Sequence, residues 1–184
     1  MAGTLELEVP TRRILTVSPY VLSDVFKDYE ATAPDADFGG GIGGDAKIGV
    51  NQSLTLDLTV NTDFAQAEVD DQQVNLTRFS LFFPEKREFF LENQGTFGFG
   101  GTASDTPVLF YSRRIGLNEG REVPIIAGGR LTGRVGRFTL GLINIQTDDE
   151  PVSGAVTTNF AVARIKRDVL RRSSIGALVT NRSA

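Results

Sequence analysis

Leu54, Leu56, Leu58 and Val60 alternate without a break with Thr55, Asp57, Thr59 and Asn61. Successive side chains of a strand point to opposite faces, so this spacing gives a strand with one apolar and one polar face. The preceding residues 44–50 alternate in the same way. A three-residue turn at Asn51, Gln52 and Ser53 pairs Val50 with Leu54, Ile48 with Leu56 and Ala46 with Leu58, which gathers the apolar side chains of both strands on one face. The fold is therefore built from amphipathic hairpins, and everything else turns on which face is buried.

A second hairpin follows from residues 124–147. Its Gly136-Arg137 turn, with glycine first, sets Val135 against Phe138, Gly133 against Leu140 and Leu131 against Leu142. Arg130, Thr132 and Arg134 then share the other face with Thr139, Gly141 and Ile143. Two arginines on one face of one strand need water or ionic partners. Residues 157–165 and 173–181 make a third hairpin around the charged KRDVLRR run, in which either Ala161, Ala163 and Ile165 join Ile175, Ala177 and Val179, or Phe160 and Val162 take that face. Residues 12–22 read as a strand in which Pro19 belongs at an edge or bulge. Residues 26–38 and the FGGGIGG run after them read as a loop, residues 108–116 (VLFYSRRIG) as a strand and residues 117–123 as a polar turn. The total is about eight strands.

Residues 78–95, RFSLFFPEKREFFLENQG, break this pattern and carry five of the chain's thirteen phenylalanines. Pro84 suits the first position of a helix, and Glu85 and Glu88 lie where the helix dipole favours negative charge, predicting a short helix over residues 84–92 that Gly95 ends. This aromatic insert reads as a plug or rim. Its carboxylates Glu85, Glu88 and Glu92 have the spacing of helix neighbours, which a glycosidase-like pair could use and which ordinary surface charge also has.

The chain contains no cysteine and no histidine, which removes disulfides, thiolate metal sites and the usual general base. The acidic run Glu68, Asp70 and Asp71 lacks the glycine and terminal glutamate of a calcium loop and reads as solvated carboxylates. No catalytic residue, cofactor or metal is expected. A net charge of −4 argues against nucleic acid. The basic cluster Arg164, Lys166, Arg167, Arg171 and Arg172 has no interleaved aromatic platform either. No apolar run reaches the roughly 20 residues of a spanning helix, and residues 1–13 lack the apolar core of a signal peptide.

Two all-β architectures fit: an antiparallel transmembrane β-barrel whose apolar face meets lipid, or a soluble barrel that turns that face inward around an apolar ligand. Arg130, Thr132 and Arg134 beside Asp57 and Lys47 favour the wet interior of the first. The large loops and the ending after a strand, together with the missing export signal, suggest residues 1–184 are a single region of a larger barrel.

The segments 54–70, 74–93, 109–116 and 128–144 together resemble the bacterial family catalogued as domain of unknown function 5916, the run FFPEKR-x-FFLE being the most specific part. The resemblance implies the C-terminal outer-membrane β-barrel of such proteins, with membrane lipid as its surroundings. In family members a domain similar to family 9 carbohydrate-binding modules usually precedes the barrel. Its positions are absent from this chain, so a carbohydrate ligand would be met there, and the implied role is surface binding or uptake rather than catalysis. A carbohydrate-active hydrolase component remains an alternative.

Overall fold

The computed structural model describes residues 15–27, 36–62, 84–99, 108–118, 121–170 and 173–184. Its strands are β1 (Leu15–Lys27), β2 (Ala36–Asn51) and β3 (Leu54–Val60), then the miniature pair β4 (Leu117–Asn118) and β5 (Arg121–Glu122), then β6 (Ile125–Val135), β7 (Phe138–Thr147), β8 (Thr158–Asp168) and β9 (Ser174–Ser183). Seven of them form one antiparallel sheet in the order β1-β2-β3-β6-β7-β8-β9. Each strand pairs with the next along the chain, except that β3 reaches β6 across an excursion of the chain. β1 and β9 are the two edges, so the described residues form an open antiparallel curtain, the all-β antiparallel sheet expected but not by itself a closed barrel.

The hairpin at residues 125–147 has the expected register throughout: Val135 faces Phe138, Gly133 faces Leu140 and Leu131 faces Leu142. In the first hairpin Ile48 pairs with Leu56 and Ala46 with Leu58, as alternation requires. Its turn is shorter than expected. Asn51 pairs with Leu54, and a bulge between Gly49 and Asn51 absorbs Val50. The Asn51 side chain accepts the Ser53 N–H at 2.8 Å, closing the two-residue turn, and the bulge preserves the facing of every other residue. The third hairpin settles on Ala163 against Val179 and Ile165 against Ala177, which turns Phe160 and Val162 to the opposite face.

The glycine run expected as loop is strand instead. Tyr20 of β1 lies across Gly43, where a Cβ would come within 2.3 Å of its ring, and the Tyr20 hydroxyl donates to the Asn61 carbonyl at 3.1 Å. Only a strand without side chains lets an aromatic ring cover its backbone this way. Pro19 sits on edge strand β1, opposite Gly44, where its missing N–H is least costly. Residues 108–116 are not a strand: Ser112–Arg114 form one turn of 3-10 helix. Glu68, Asp70 and Asp71, with Arg171 and Arg172, lie outside the described residues.

The sheet's two faces differ sharply. One presents Leu15, Val17 and Val21, Ile42, Leu58 and Val60, Leu142, Ile165, Ile175 and Val179, all exposed, with Val179 65% and Val21 79% accessible. From Leu15 to Val21 in β1, from Gly40 to Ile48 in β2 and throughout the other five strands, the register gives this face one charge, Arg167, lying over the Phe138 ring beside a turn. A row of amides, with Asn144 and Asn159 joined at 3.0 Å and Asn159 donating to Gln146, borders the apolar band toward its other end. The opposite face carries the core: Ile125, Ile143, Ile145 and Val162 from the sheet, packed with Phe90, Phe97 and Ile115.

Gly133 has a φ of +152°, and a Cβ there would meet the Ser53 carbonyl oxygen at 1.9 Å. This is the contact at which the β2–β3 turn docks on the Arg134 N–H, 2.8 Å away. Replacing Gly133 by alanine therefore has to break that docking and is expected to cost about 1–3 kcal/mol. Gly136, in the left-handed region but with open space around it, should lose only about 1–2 kcal/mol as alanine. Urea unfolding of the variants checks the order; a Gly133→Ala protein as stable as wild type would contradict the docking.

Candidate functional site

Residues 78–83 of the insert lie outside the described residues; its described part contains one α-helical turn, α1 (Glu88–Leu91), followed by a 3-10 turn at Gln94–Phe97. It is shorter than the expected helix over residues 84–92, because Glu85 is occupied elsewhere. The Glu85 carboxylate accepts the backbone N–H groups of Lys86 and Arg87, both at 3.1 Å, and holds this stretch extended. The left-handed residue that turns the chain is Asn93, at φ 55°, rather than Gly95.

Around Glu85 the connections lock together. Arg87 grips the carboxylate with Nε and Nη2, both at 2.8 Å, and spends its remaining N–H groups on the carbonyls of Ile115 and Ser112 at 2.6 and 2.9 Å. The Ser112 hydroxyl adds a bond to Glu85 at 2.5 Å, Arg113 donates to the Pro84 carbonyl at 2.7 Å, and the Arg87 guanidinium lies 4.3 Å from the Phe90 ring centre. Glu85, Arg87, Ser112 and Arg113 are all buried. Such a buried pair is tolerable because both carboxylate oxygens and all three guanidinium nitrogens are hydrogen-bonded. It also explains the 3-10 turn at 112–114, whose carbonyls are drawn toward Arg87 instead of a neighbouring strand.

Insert and sheet meet at Arg130, which is 1% exposed. Strand register places Lys47, Asp57 and Arg130 in one row across β2, β3 and β6. The guanidinium bonds to Asp57 Oδ2 through Nη2 at 2.8 Å and Nε at 3.2 Å, to the Glu92 carboxylate at 3.3 Å, and through Nη1 to the carbonyls of Phe89 and Glu92. These carbonyls lie at the C-terminal end of α1, where a cation meets the negative end of the backbone dipoles. Lys47 reaches the same Glu92 carboxylate at 2.5 Å. Asn93 donates to the Thr132 hydroxyl at 3.2 Å, and Phe97 lies over Gly141, where a Cβ would come within 2.9 Å of its ring.

The cations and anion expected on the inner face are thus on one face and mostly in one row, but their partners are protein groups rather than water. Arg134 differs: it is exposed and pairs with Asp168 at 2.7 Å. The inner face is also drier than expected, since Ile143, Ile145 and Val162 give it an apolar centre. Among the insert's carboxylates, Glu85 and Glu92 are bound to cations while Glu88 is exposed. The basic cluster is divided, with Arg164 buried on the inner face, donating to the Ile165 and Ala177 carbonyls, and Arg167 on the outer face. The Glu85–Arg87–Ser112 cluster escaped sequence reasoning; the one available signal was an arginine set between two glutamates and a Phe pair.

Burial pushes the Glu85 carboxyl up, but hydrogen bonds from Arg87 and Ser112 and the Arg87 charge outweigh it and hold it below its usual value of 4.5. For Glu92 the hydrogen bond from Lys47 leads, and the carboxyl is again held below 4.5. Depressed carboxyls stabilise the fold fully above their unfolded value and lose that contribution as pH falls through the lower, folded value. The exposed Lys47–Glu92 pair contributes little of this, so Glu85 dominates. A spin label on Leu91→Cys, unique in a chain without cysteine, should report an insert immobile at neutral pH and increasingly mobile as pH falls below the ordinary carboxyl range. Arg130→Met should free it at neutral pH at a cost of about 3–5 kcal/mol, because Asp57 is left buried and unpaired. A label equally immobile in both proteins would contradict the role of Arg130.

A family profile described as domain of unknown function 5916 matches residues 9–126, which takes in β1, β2, β3, the insert and the 108–118 segment. No curated protein and no solved structure matches the chain. The resembling segments 54–70, 74–93 and 109–116 fall within the match, as do Lys47, Asp57, Glu85, Arg87 and Glu92, whereas Arg130 and the later hairpins lie beyond it. With the profile spanning more than half its length, the insert included, the chain belongs to the family of domain of unknown function 5916.

Proposed function

We propose that this chain supplies wall and internal plug to a bacterial outer-membrane β-barrel, in a surface protein for ligand binding or uptake, with its apolar sheet face against lipid. The observation that carries this reading is the exposed apolar face lying directly opposite the packed core. Burying a Val, Leu or Ile side chain is worth roughly 1.5–3 kcal/mol, so a contiguous band of them left in water calls for an apolar partner. Strands β6 to β9, of 11, 10, 11 and 10 residues, match the length that crosses hydrocarbon. Short turns at residues 52–53, 136–137 and 169–173 lie at one end and the longer connections at the other, the asymmetry of outer-membrane barrels.

In this reading the insert narrows the lumen, and Arg130, Arg134, Lys47 and Asp57 set its internal field. The ligand class rests on the family resemblance and is carbohydrate or another polymer-derived molecule, met first by the domain that precedes the barrel in family members. A soluble barrel around an apolar ligand needs the Leu54–Val60 apolar side chains inside; Leu58 and Val60 instead point away from the core at 40% and 55% exposure, which weighs against it.

Single-cysteine variants Leu142→Cys and Val179→Cys on the apolar face, and Thr180→Cys on the inner face, test the reading with an environment-sensitive fluorophore in vesicles. Spin-labelled lipid should quench the first two and spare the third. Equal quenching at all three sites, or none at any, would sink it.

A further inference from the structure

A cavity of about 530 Å³ lies between the 108–118 segment and the inner faces of β8 and β9. Phe160 and Tyr111 give it aromatic walls, Thr158 and Thr180 add hydroxyls, and Arg114 and Arg182 supply its charge. Among the described residues no carboxylate lines it, although the chain carries 23 acidic against 19 basic residues. Its arginines differ from those that hold the fold. Arg87, Arg130 and Arg134 are each paired with a carboxylate and Arg164 is taken up by backbone carbonyls. Arg114 and Arg182 are exposed, and among the described residues neither side chain has an ion pair or hydrogen bond. Arg182 lies over the Phe160 ring at 5.5 Å, which orients its guanidinium without using any of its N–H groups.

A guanidinium with free N–H groups matches a planar carboxylate in two-point fashion, and an aromatic wall accepts a ring or apolar body. The volume falls within the range of small-ligand sites. We propose that this cavity binds a carboxylate carried on a ring-shaped or apolar body, with Arg114 and Arg182 as the partners of the anion. The inference deepens the reading above and rests on it for the route by which ligand reaches the inner face.

The test uses the full chain refolded in detergent micelles and titrated with 2-naphthoate and its neutral analogue 2-naphthamide. The carboxylate should bind about tenfold tighter or more, as a charge-assisted contact implies, and the preference should weaken with salt. Arg114→Gln combined with Arg182→Gln should abolish the preference while leaving folding intact, since both side chains are exposed. Equal binding of the two probes, no saturable binding of the carboxylate, or a preference unchanged in the double variant would overturn the site. Digalacturonate competing with naphthoate assigns the site to acidic sugars; naphthoate binding without that competition assigns it to aryl acids, and both support it. The two readings fail separately. Lipid quenching of the outer labels without carboxylate preference removes the site alone, and carboxylate preference without lipid quenching removes the membrane reading alone.

Discussion

The guanidinium of Arg130 is the point at which sheet and insert become one structure. Sequestering a cation from water costs several kcal/mol, and that cost is met only because all sides of the group are bonded at once: Asp57 from β3, the Glu92 carboxylate, and the backbone carbonyls of Phe89 and Glu92. Each partner in turn depends on Arg130. Asp57 is itself buried, and a single turn of helix as short as α1 has too few internal hydrogen bonds to hold without a tertiary anchor. The Glu85–Arg87 pair repeats the same solution one layer away, binding the start of the insert to the 112–115 turn.

Register carries that anchor across the whole curtain. Thr16, Lys47, Asp57, Arg130, Ile143, Val162 and Thr180 form one continuous row on the inner face of seven strands. The row is ionic over β2, β3 and β6, where α1 docks, and apolar over β7 and β8, where Phe90 and Phe97 pack. An ionic patch and a dry core therefore share one surface, divided strand by strand. The outer face needs no such division and repeats a single apolar theme from Leu15 to Val179.

Much of this was legible from alternation alone, because period two is a direct consequence of strand geometry. The hairpins around Gln52-Ser53 and Gly136-Arg137 and the common face of Lys47, Asp57 and Arg130 all follow from it. Where reading failed, a long-range contact had overridden a local signal. Residues 39–44 look like loop until β1 pairs with them and Tyr20, more than twenty positions earlier, covers Gly43. Residues 108–116 alternate like a strand, but Arg87 captures two of their carbonyls and curls them into a 3-10 turn. Helix length was overstated because Glu85 was read as a favourable first-turn charge rather than as the partner of Arg87. The bulge at Val50 had no signature beyond Asn51, whose side chain can close a turn two residues on.

The central claim is that the insert is folded against the inner face of the sheet beneath Arg130, and a disulfide trap between Asn93→Cys and Thr132→Cys tests it most directly. These side chains are hydrogen-bonded at 3.2 Å, and no native cysteine competes. Oxidation of the folded double variant should give an intramolecular crosslink in high yield, visible as a reducible shift in gel mobility, and Arg130→Met should suppress it. Failure of the correctly assembled double variant to crosslink would mean that the insert lies elsewhere, and the account built on Arg130 would fall with it.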